Sequence, residues 1–107
     1  MSGAAIVAVY AVFGSDAEAR EIGRAMVERR LAACVNILGR CDSIYRWQDE
    51  VVEAEEFAAL FKTGSDKAET LVAAIGGLHS YDTPAIVVWP IAIAHSAYED
   101  WVIAETR

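Results

Sequence analysis

Few side chains in this sequence offer strong chemistry, and they stand far apart along the chain. Cys34 and Cys41 are its two cysteines, and His79 and His95 are its two histidines, among 107 residues. Thiolate and imidazole are the ligands that soft or borderline cations prefer, but a lone thiolate binds no metal tightly. Whether any of these residues forms a site therefore depends on the elements that position them.

The two cysteines are interpreted differently. Cys34 follows Leu31-Ala32-Ala33 and is either a small buried hydrophobe or a soft-metal ligand or reactive thiol, whereas Cys41 is expected simply to pack. On one extended strand the two would lie about 23 Å apart, far beyond the roughly 7 Å that a disulfide allows between Cα atoms. We expect no disulfide, and hence a reduced, cytoplasmic protein.

His79 follows a predicted helix, with Tyr81 and Asp82 close by. Its ring either bonds a carbonyl at the helix end or acts as a ligand or general base oriented by Asp82. An enzyme using His79, Asp82 and Lys62 is a third hypothesis. The sequence carries no phosphate-binding loop, dinucleotide fingerprint, nucleophile elbow or C-x-x-C pair, so we predict that it is not an enzyme.

The charge balance restricts the partners. The formal net charge of −7 argues against nucleic acid and against anionic membranes, and it permits cations. The apolar run over residues 4–13 is shorter than the roughly 20 residues that span a bilayer. A group of carboxylates is expected to form a solvated hairpin edge or, alternatively, a weak cation site: Asp49, Glu50, Glu53, Glu55 and Glu56.

The stretch from Leu31 to Thr63 contains no Pro and a single Gly, Gly39. It predicts two long strands joined by a tight turn near residues 48–50. Val35 and Ile37 share one face of the first strand, and a second set shares a face further along: Cys41, Ser43, Tyr45 and Trp47. A ribbon longer than the usual 5–6 residues reaches beyond its own core. We therefore predict that Tyr45 and Trp47 contact another subunit.

The remaining patterns complete the order β-α-β-β-α-β-α over residues 1–107, which we interpret as one domain. Residues 4–13 and 85–93 are strands apolar on both faces, and capping boxes at 15–18 and 96–99 open the first and last helices. In the second helix Leu71, Ile75 and Leu78 are predicted to face the core. The order predicts an α/β (α+β) fold of the ferredoxin-like split β-α-β type, with one open apolar sheet face that favours oligomerisation.

Five segments together resemble the CutA1 divalent-cation tolerance proteins over nearly the whole chain. They are Leu31-Ala32-Ala33-Cys34-Val35-Asn36-Ile37, Ser43-Ile44-Tyr45-Arg46-Trp47, Leu60-Phe61-Lys62-Thr63, Leu78-His79-Ser80-Tyr81-Asp82-Thr83-Pro84, and Trp101 near the end. The resemblance implies a ferredoxin-like homotrimer, built like the PII signalling proteins, whose long hairpins pair between subunits. It also implies copper or other divalent-metal binding, with Cys34 and His79 at positions implicated as ligands.

The sequence departs from the family pattern in places. Ser80 stands where the family has Pro, Ala85 where it has an acidic residue, and Asp49 where a turn Gly is expected. The leading hypothesis is a cytoplasmic homotrimer that binds Cu(II) or another divalent cation weakly at Cys34 and His79. The alternative is a PII-like signalling scaffold that binds a small metabolite or a protein partner, with metal binding incidental.

Overall fold

Four antiparallel strands form one sheet in the order β2-β3-β1-β4. The computed structural model describes residues 3–107. The strands are β1 (Ile6–Phe13), β2 (Cys34–Trp47), β3 (Glu50–Gly64) and β4 (Ile86–Pro90). The helices are α1 (Asp16–Glu28), α2 (Ala68–Leu78) and α3 (Ser96–Glu105). This is the ferredoxin-like α+β arrangement that the sequence predicts.

The central strand is β1, which pairs with β3 on one side and with β4 on the other. Its apolar character on both faces follows from this position, because helices or neighbouring side chains cover each face. The edge strand β4 ends at Pro90, which has no N–H for a ladder. It is therefore shorter than the predicted strand over residues 85–93.

The main core lies between one sheet face and helices α1 and α2. Its largest members are fully buried: Phe13, Phe61, Met26, Leu71, Ile75 and Val9. Burying each such side chain contributes about 1.5–3 kcal/mol. The prediction that Leu78 joins this core is wrong, since its side chain is 51% exposed. Leu78 is the last residue of α2, and the chain becomes extended at His79.

The capping predictions have different outcomes. At the start of α1, Ser15 Oγ accepts a hydrogen bond from the Glu18 amide at 3.1 Å, as predicted. At α3 the predicted capping box over residues 96–99 is wrong. There His95 is the N-cap, Ser96 is already helical, and no side chain caps the helix. Its backbone provides the first turn instead, because the Glu99 amide donates to the His95 carbonyl at 3.0 Å.

Helix α3 lies on the second sheet face and covers only one end of it. Ile6, Ala33 and Val102 are buried together there. The prediction of a wholly open second face is therefore wrong at this end and holds towards the other end, where Tyr10, Tyr45 and Trp47 line a cleft.

The hairpin of β2 and β3 contains two special backbone features. Gln48 and Asp49 both have positive φ, 49° and 67°, which is the two-residue turn that matches strand twist. Leu38 is an extra, unpaired residue, since Ile37 faces Ala59 and Gly39 faces Ala58. This β-bulge reverses the side-chain alternation. Val35 and Ile37 therefore pack on the helical core, whereas later odd-numbered residues of β2 point to the opposite face.

Candidate functional site

Cys34 opens β2 and lies near α3. Its Sγ is 3.4 Å from the hydroxyl of Tyr98, and its side chain is partly buried. Burial first, and then the contact with Cys34, raises the pKa of Tyr98 to about 12. The tyrosine therefore stays protonated at neutral pH, and its hydroxyl is available to donate to the sulfur.

His79 lies at the opposite end of β1 and its side chain is fully buried. Its ring stacks on Phe13 at a centroid distance of 4.8 Å. The Nε2 atom is 2.8 Å from the Val12 carbonyl, which only accepts, so Nε2 carries the proton. The Nδ1 atom accepts from the Tyr81 amide at 3.0 Å, so the ring is the neutral tautomer. Glu18 Oε2, 3.9 Å from Nδ1, is therefore a polar neighbour rather than an ion-pair partner.

The fold separates Cys34 and His79 within one chain. Cys34 pairs with Lys62, which pairs with Ala8 of β1, whereas His79 bonds Val12 of the same strand. Four residues of antiparallel strand span about 13 Å. Within residues 3–107, no three His, Cys, Asp or Glu side chains are grouped to hold a metal ion.

The hypothetical catalytic set is also separated. Lys62 Nζ donates to Asn36 Oδ1 at 2.7 Å, at the Cys34 end of the hairpin. Asp82 instead lines the cleft at the other end of the sheet, and His79 uses both ring nitrogens in hydrogen bonds. The structure thus does not bring the three side chains together.

A cleft of about 680 Å³ lies on the second sheet face. This volume lies in the range of small-molecule sites. Its lining combines aromatic rings with acidic and small residues: Tyr10, Val12, Ser43, Tyr45, Trp47, Glu56, Tyr81, Asp82, Thr83 and Ala85. The β2 bulge is what turns Ser43, Tyr45 and Trp47 towards it.

Glu56 is the residue whose environment the sequence pattern does not reveal. The prediction that it is solvated with the other hairpin carboxylates is wrong, because only 7% of it is exposed. Asp49, Glu50, Glu53 and Glu55 are indeed exposed. Glu56 differs because it lies further from the turn, opposite Cys41, where the hydroxyl of Tyr81 contacts it. One signal was available in the sequence. Glu56 and buried Ala58 are two residues apart on one strand, so their side chains point to the same sheet face.

Tyr81 closes the inner end of the cleft. Its hydroxyl donates to Glu56 Oε2 at 3.0 Å. Burial and this contact with Glu56 raise the pKa of Tyr81 to about 12. Burial, with Cys41 and Glu56 nearby, also raises the pKa of Tyr10. Both phenols therefore stay protonated at neutral pH, and Tyr81 is the one that donates to the buried carboxyl group.

A hydrogen-bond network fixes the segment that carries Tyr81. Glu18 Oε2 accepts from the Ser80 amide at 2.8 Å, and Oε1 accepts from the Ser80 hydroxyl at 2.9 Å and from the Gly14 amide at 3.3 Å. Partial burial acts to raise the pKa of Glu18, but these donors outweigh it and the pKa is lowered. The capping glutamate of α1 thus also holds the chain between α2 and β4.

Two aromatic residues predicted to contact a neighbour lie on the outer part of this face. Tyr45 is 41% exposed and Trp47 is 49% exposed. Trp89 of the edge strand β4 is 50% exposed and stacks on Tyr10 at 5.3 Å. These rings extend the apolar surface from the hairpin to β4.

A family model described as the CutA1 divalent ion tolerance protein matches residues 7–105. The chain belongs to this family. The Divalent-cation tolerance protein CutA of Thermus thermophilus is 47% identical over 92 residues, covering 86% of this chain and 89% of that protein. The resemblance proposed from five sequence segments is therefore confirmed.

Solved CutA1 structures have the same fold. A structure of the Thermus thermophilus protein has a TM-score of 0.92 at 43% identity, covering 95% of this chain and 99% of that chain. The protein described as the periplasmic divalent cation tolerance protein CutA from Archaeoglobus fulgidus has a TM-score of 0.92 at 32% identity, covering 95% and 99%. Among residues 3–107, no helix has the length and apolarity needed to cross a membrane.

Proposed function

We propose that this CutA1-family protein is a cytoplasmic homotrimer that binds Cu(II) or another divalent cation weakly and catalyses no reaction. Cys34 supplies a thiolate ligand and His79 an imidazole ligand. The observation that carries the proposal is the match of residues 7–105 to the CutA1 divalent ion tolerance family. Cys34 and His79 lie apart within one chain. An ion that uses both must take them from different subunits, so metal binding and assembly are linked.

The surface of the hairpin and sheet supports the assembly. Exposed apolar side chains extend over the second sheet face along β2 and β4: Tyr45, Trp47, Val87 and Trp89. Monomeric proteins rarely expose contiguous apolar patches of this kind, and aromatic residues are enriched at subunit contacts. We infer that Tyr45 and Trp47 anchor the trimer.

The two ligands would contribute differently. Cys34 is partly exposed and has one weak contact, to Tyr98, so a cation can reach its sulfur. His79 must give up one ring hydrogen bond, to Val12 or from Tyr81, before it can ligate. Losing one such bond costs about 1 kcal/mol, which agrees with weak binding.

A copper titration tests the ligand assignment. Cu(II) is titrated into the wild-type protein and into Cys34→Ser, His79→Ala and Cys41→Ser, with the circular dichroism spectrum checking the fold. We expect weaker binding in the first two variants and wild-type binding in Cys41→Ser. Unchanged affinity in both Cys34→Ser and His79→Ala would refute the site.

Light scattering tests the assembly. The wild-type protein at micromolar concentration should have three times the chain mass of 11.6 kDa. Trp47→Asp should dissociate it, whereas Val27→Asp places the same charge on helix α1, away from the proposed contact, and should not. A monomeric wild-type mass contradicts the trimer.

A second candidate function, a PII-like scaffold that binds a small metabolite or a protein partner, is favoured by the cleft of about 680 Å³. In that case metal binding would be incidental. A thermal-shift screen separates the two candidates, because a ligand that binds the folded protein raises its melting temperature by mass action. Stabilisation by small molecules but not by Cu(II) would favour the scaffold.

A further inference from the structure

The cleft on the second sheet face pairs a buried acid with aromatic walls. Tyr10, Tyr45, Trp47 and Tyr81 contribute four rings, and Glu56 contributes a carboxyl group that is almost entirely buried. A ring face attracts a cation through its quadrupole. Rings and carboxylate therefore favour the same kind of occupant.

Glu56 has a single polar partner among the residues that the structure describes. Across residues 3–107, no Lys, Arg or His side chain lies within ion-pair distance of it, and its hydrogen bond is the one from Tyr81 to Oε2. An ionised carboxylate that is buried with one donor is costly unless a positive partner reaches it. The side of the carboxyl group not bonded to Tyr81 is where such a partner would bind.

The residues that line the cleft favour an organic cation over a metal ion as its ligand. A dehydrated divalent ion requires several oxygen, nitrogen or sulfur ligands, and no three-ligand group is present in the described part of the chain. An alkylammonium ion instead needs one counter-charge and apolar or aromatic contacts. The apolar side chains in the cleft lining, Val12 and Ala85 among them, suit its methyl or methylene groups.

We propose that this cleft binds a small organic ammonium ion, with Glu56 as its counter-ion and with Tyr10, Tyr45, Trp47 and Tyr81 as its aromatic walls. The inference rests on the second candidate function, a small ligand in the cleft, and is independent of copper at Cys34. Tyr45 and Trp47 also belong to the proposed subunit contact, so the site lies at the subunit boundary. The assembled protein is therefore the species to test.

The experiment compares choline with its neutral isostere 3,3-dimethylbutan-1-ol, by calorimetry and by tryptophan fluorescence, to which Trp47 contributes with Trp89 and Trp101. Choline should bind at least about tenfold more tightly, since the two probes differ in charge but hardly in shape. Glu56→Gln should weaken choline binding by about tenfold and leave the isostere unchanged. Glu53→Gln removes the same charge from an exposed position of β3 and should bind choline like the wild type.

Equal affinity of the wild-type protein for choline and for the isostere overturns the proposal, and this comparison stands even if Glu56→Gln fails to fold. An equal loss in Glu53→Gln and Glu56→Gln also overturns it, because bulk charge would then explain the binding. A response to Mg²⁺ alone that Glu56→Gln abolishes would assign the cleft to an inorganic cation instead. Failure of choline together with stabilisation by a neutral metabolite would refute this inference while the second candidate function stands.

Discussion

The hydroxyl of Tyr81 lies 3.0 Å from Oε2 of Glu56 and donates to it. This contact joins the connection between α2 and β4 to the middle of β3, two segments that are 25 residues apart in the sequence. It also places a neutral donor and a buried acid at the inner end of the cleft. The cleft therefore depends on a segment that Glu18 and His79 hold in place.

Replacing Tyr81 by Phe should destabilise the protein, because Glu56 would lose its donor while remaining buried. Hydrogen bonds to charged groups contribute about 1.5–3 kcal/mol, and we expect a loss of that order in the free energy of unfolding. Urea denaturation measures it. Tyr45→Phe is the matched control, since the described residues provide no hydrogen-bond partner for that hydroxyl; equal losses in the two variants would contradict the prediction.

The free energy of unfolding should fall at alkaline pH, because Tyr81 loses its proton there. The pKa of Tyr81 is raised from its ordinary 10.0 to about 12. The stabilisation that Tyr81 provides is thus complete below the pKa that it has in the unfolded chain. This stabilisation is lost as the pH rises through the pKa that Tyr81 has in the folded protein. Between these two values, the free energy of unfolding should decrease more in the wild type than in Tyr81→Phe. Parallel pH profiles of the two proteins would rule this out.

Glu18 should make the protein sensitive to acid. Its pKa lies below the ordinary 4.5, because the Ser80 and Gly14 donors outweigh partial burial. The stabilisation that Glu18 provides is present above its ordinary pKa. This stabilisation is lost as the pH falls through the lowered pKa that Glu18 has in the folded protein. The stability difference between wild type and Glu18→Gln should therefore shrink on acidification. Glu21→Gln, an exposed change on the same helix, controls for overall charge, and an identical pH profile in both variants would disprove the assignment.

A side chain at Gly39, in the β2 bulge, should destabilise the protein. Its φ of 94° is unfavourable for residues with a Cβ, so Gly39→Ala should cost about 1–2 kcal/mol. Gly77→Ala is a control for which we expect the opposite change in stability. That exposed helical glycine has open space around it, and the change should stabilise by roughly 0.5–1 kcal/mol. Thermal unfolding of both variants checks the signs, and a neutral Gly39→Ala would argue against strain at the bulge.

Most of the fold was predictable because local patterns report it directly. The long run without proline indicated the hairpin, the apolar runs indicated β1 and β4, and the Ser15 capping box indicated the start of α1. The predictions failed where tertiary packing overrides local pattern. Leu78 continues the helical period but lies at the end of α2, and residues 96–99 have a capping sequence in a helix that begins with His95 as its cap.

The candidate site was only partly predictable. Cys34 and His79 stand out by residue type, and residue type cannot indicate that β1 separates them. Glu56 and Tyr81, 25 residues apart, could not be paired in advance, because nothing in the local sequence relates them. The proposed metal ligands and the trimer contact stay predictions that the copper and light-scattering experiments address.

The sequence by itself determined the family, the order of elements and the length of the hairpin, since these depend on residue type and period. Only the tertiary structure decided which strand faces and connecting segments meet in one cavity. The physical reason is the single extra residue at Leu38, which reverses the alternation of β2 and turns Ser43, Tyr45 and Trp47 towards Glu56. A strand period of two residues is so short that one insertion reassigns every side chain beyond it.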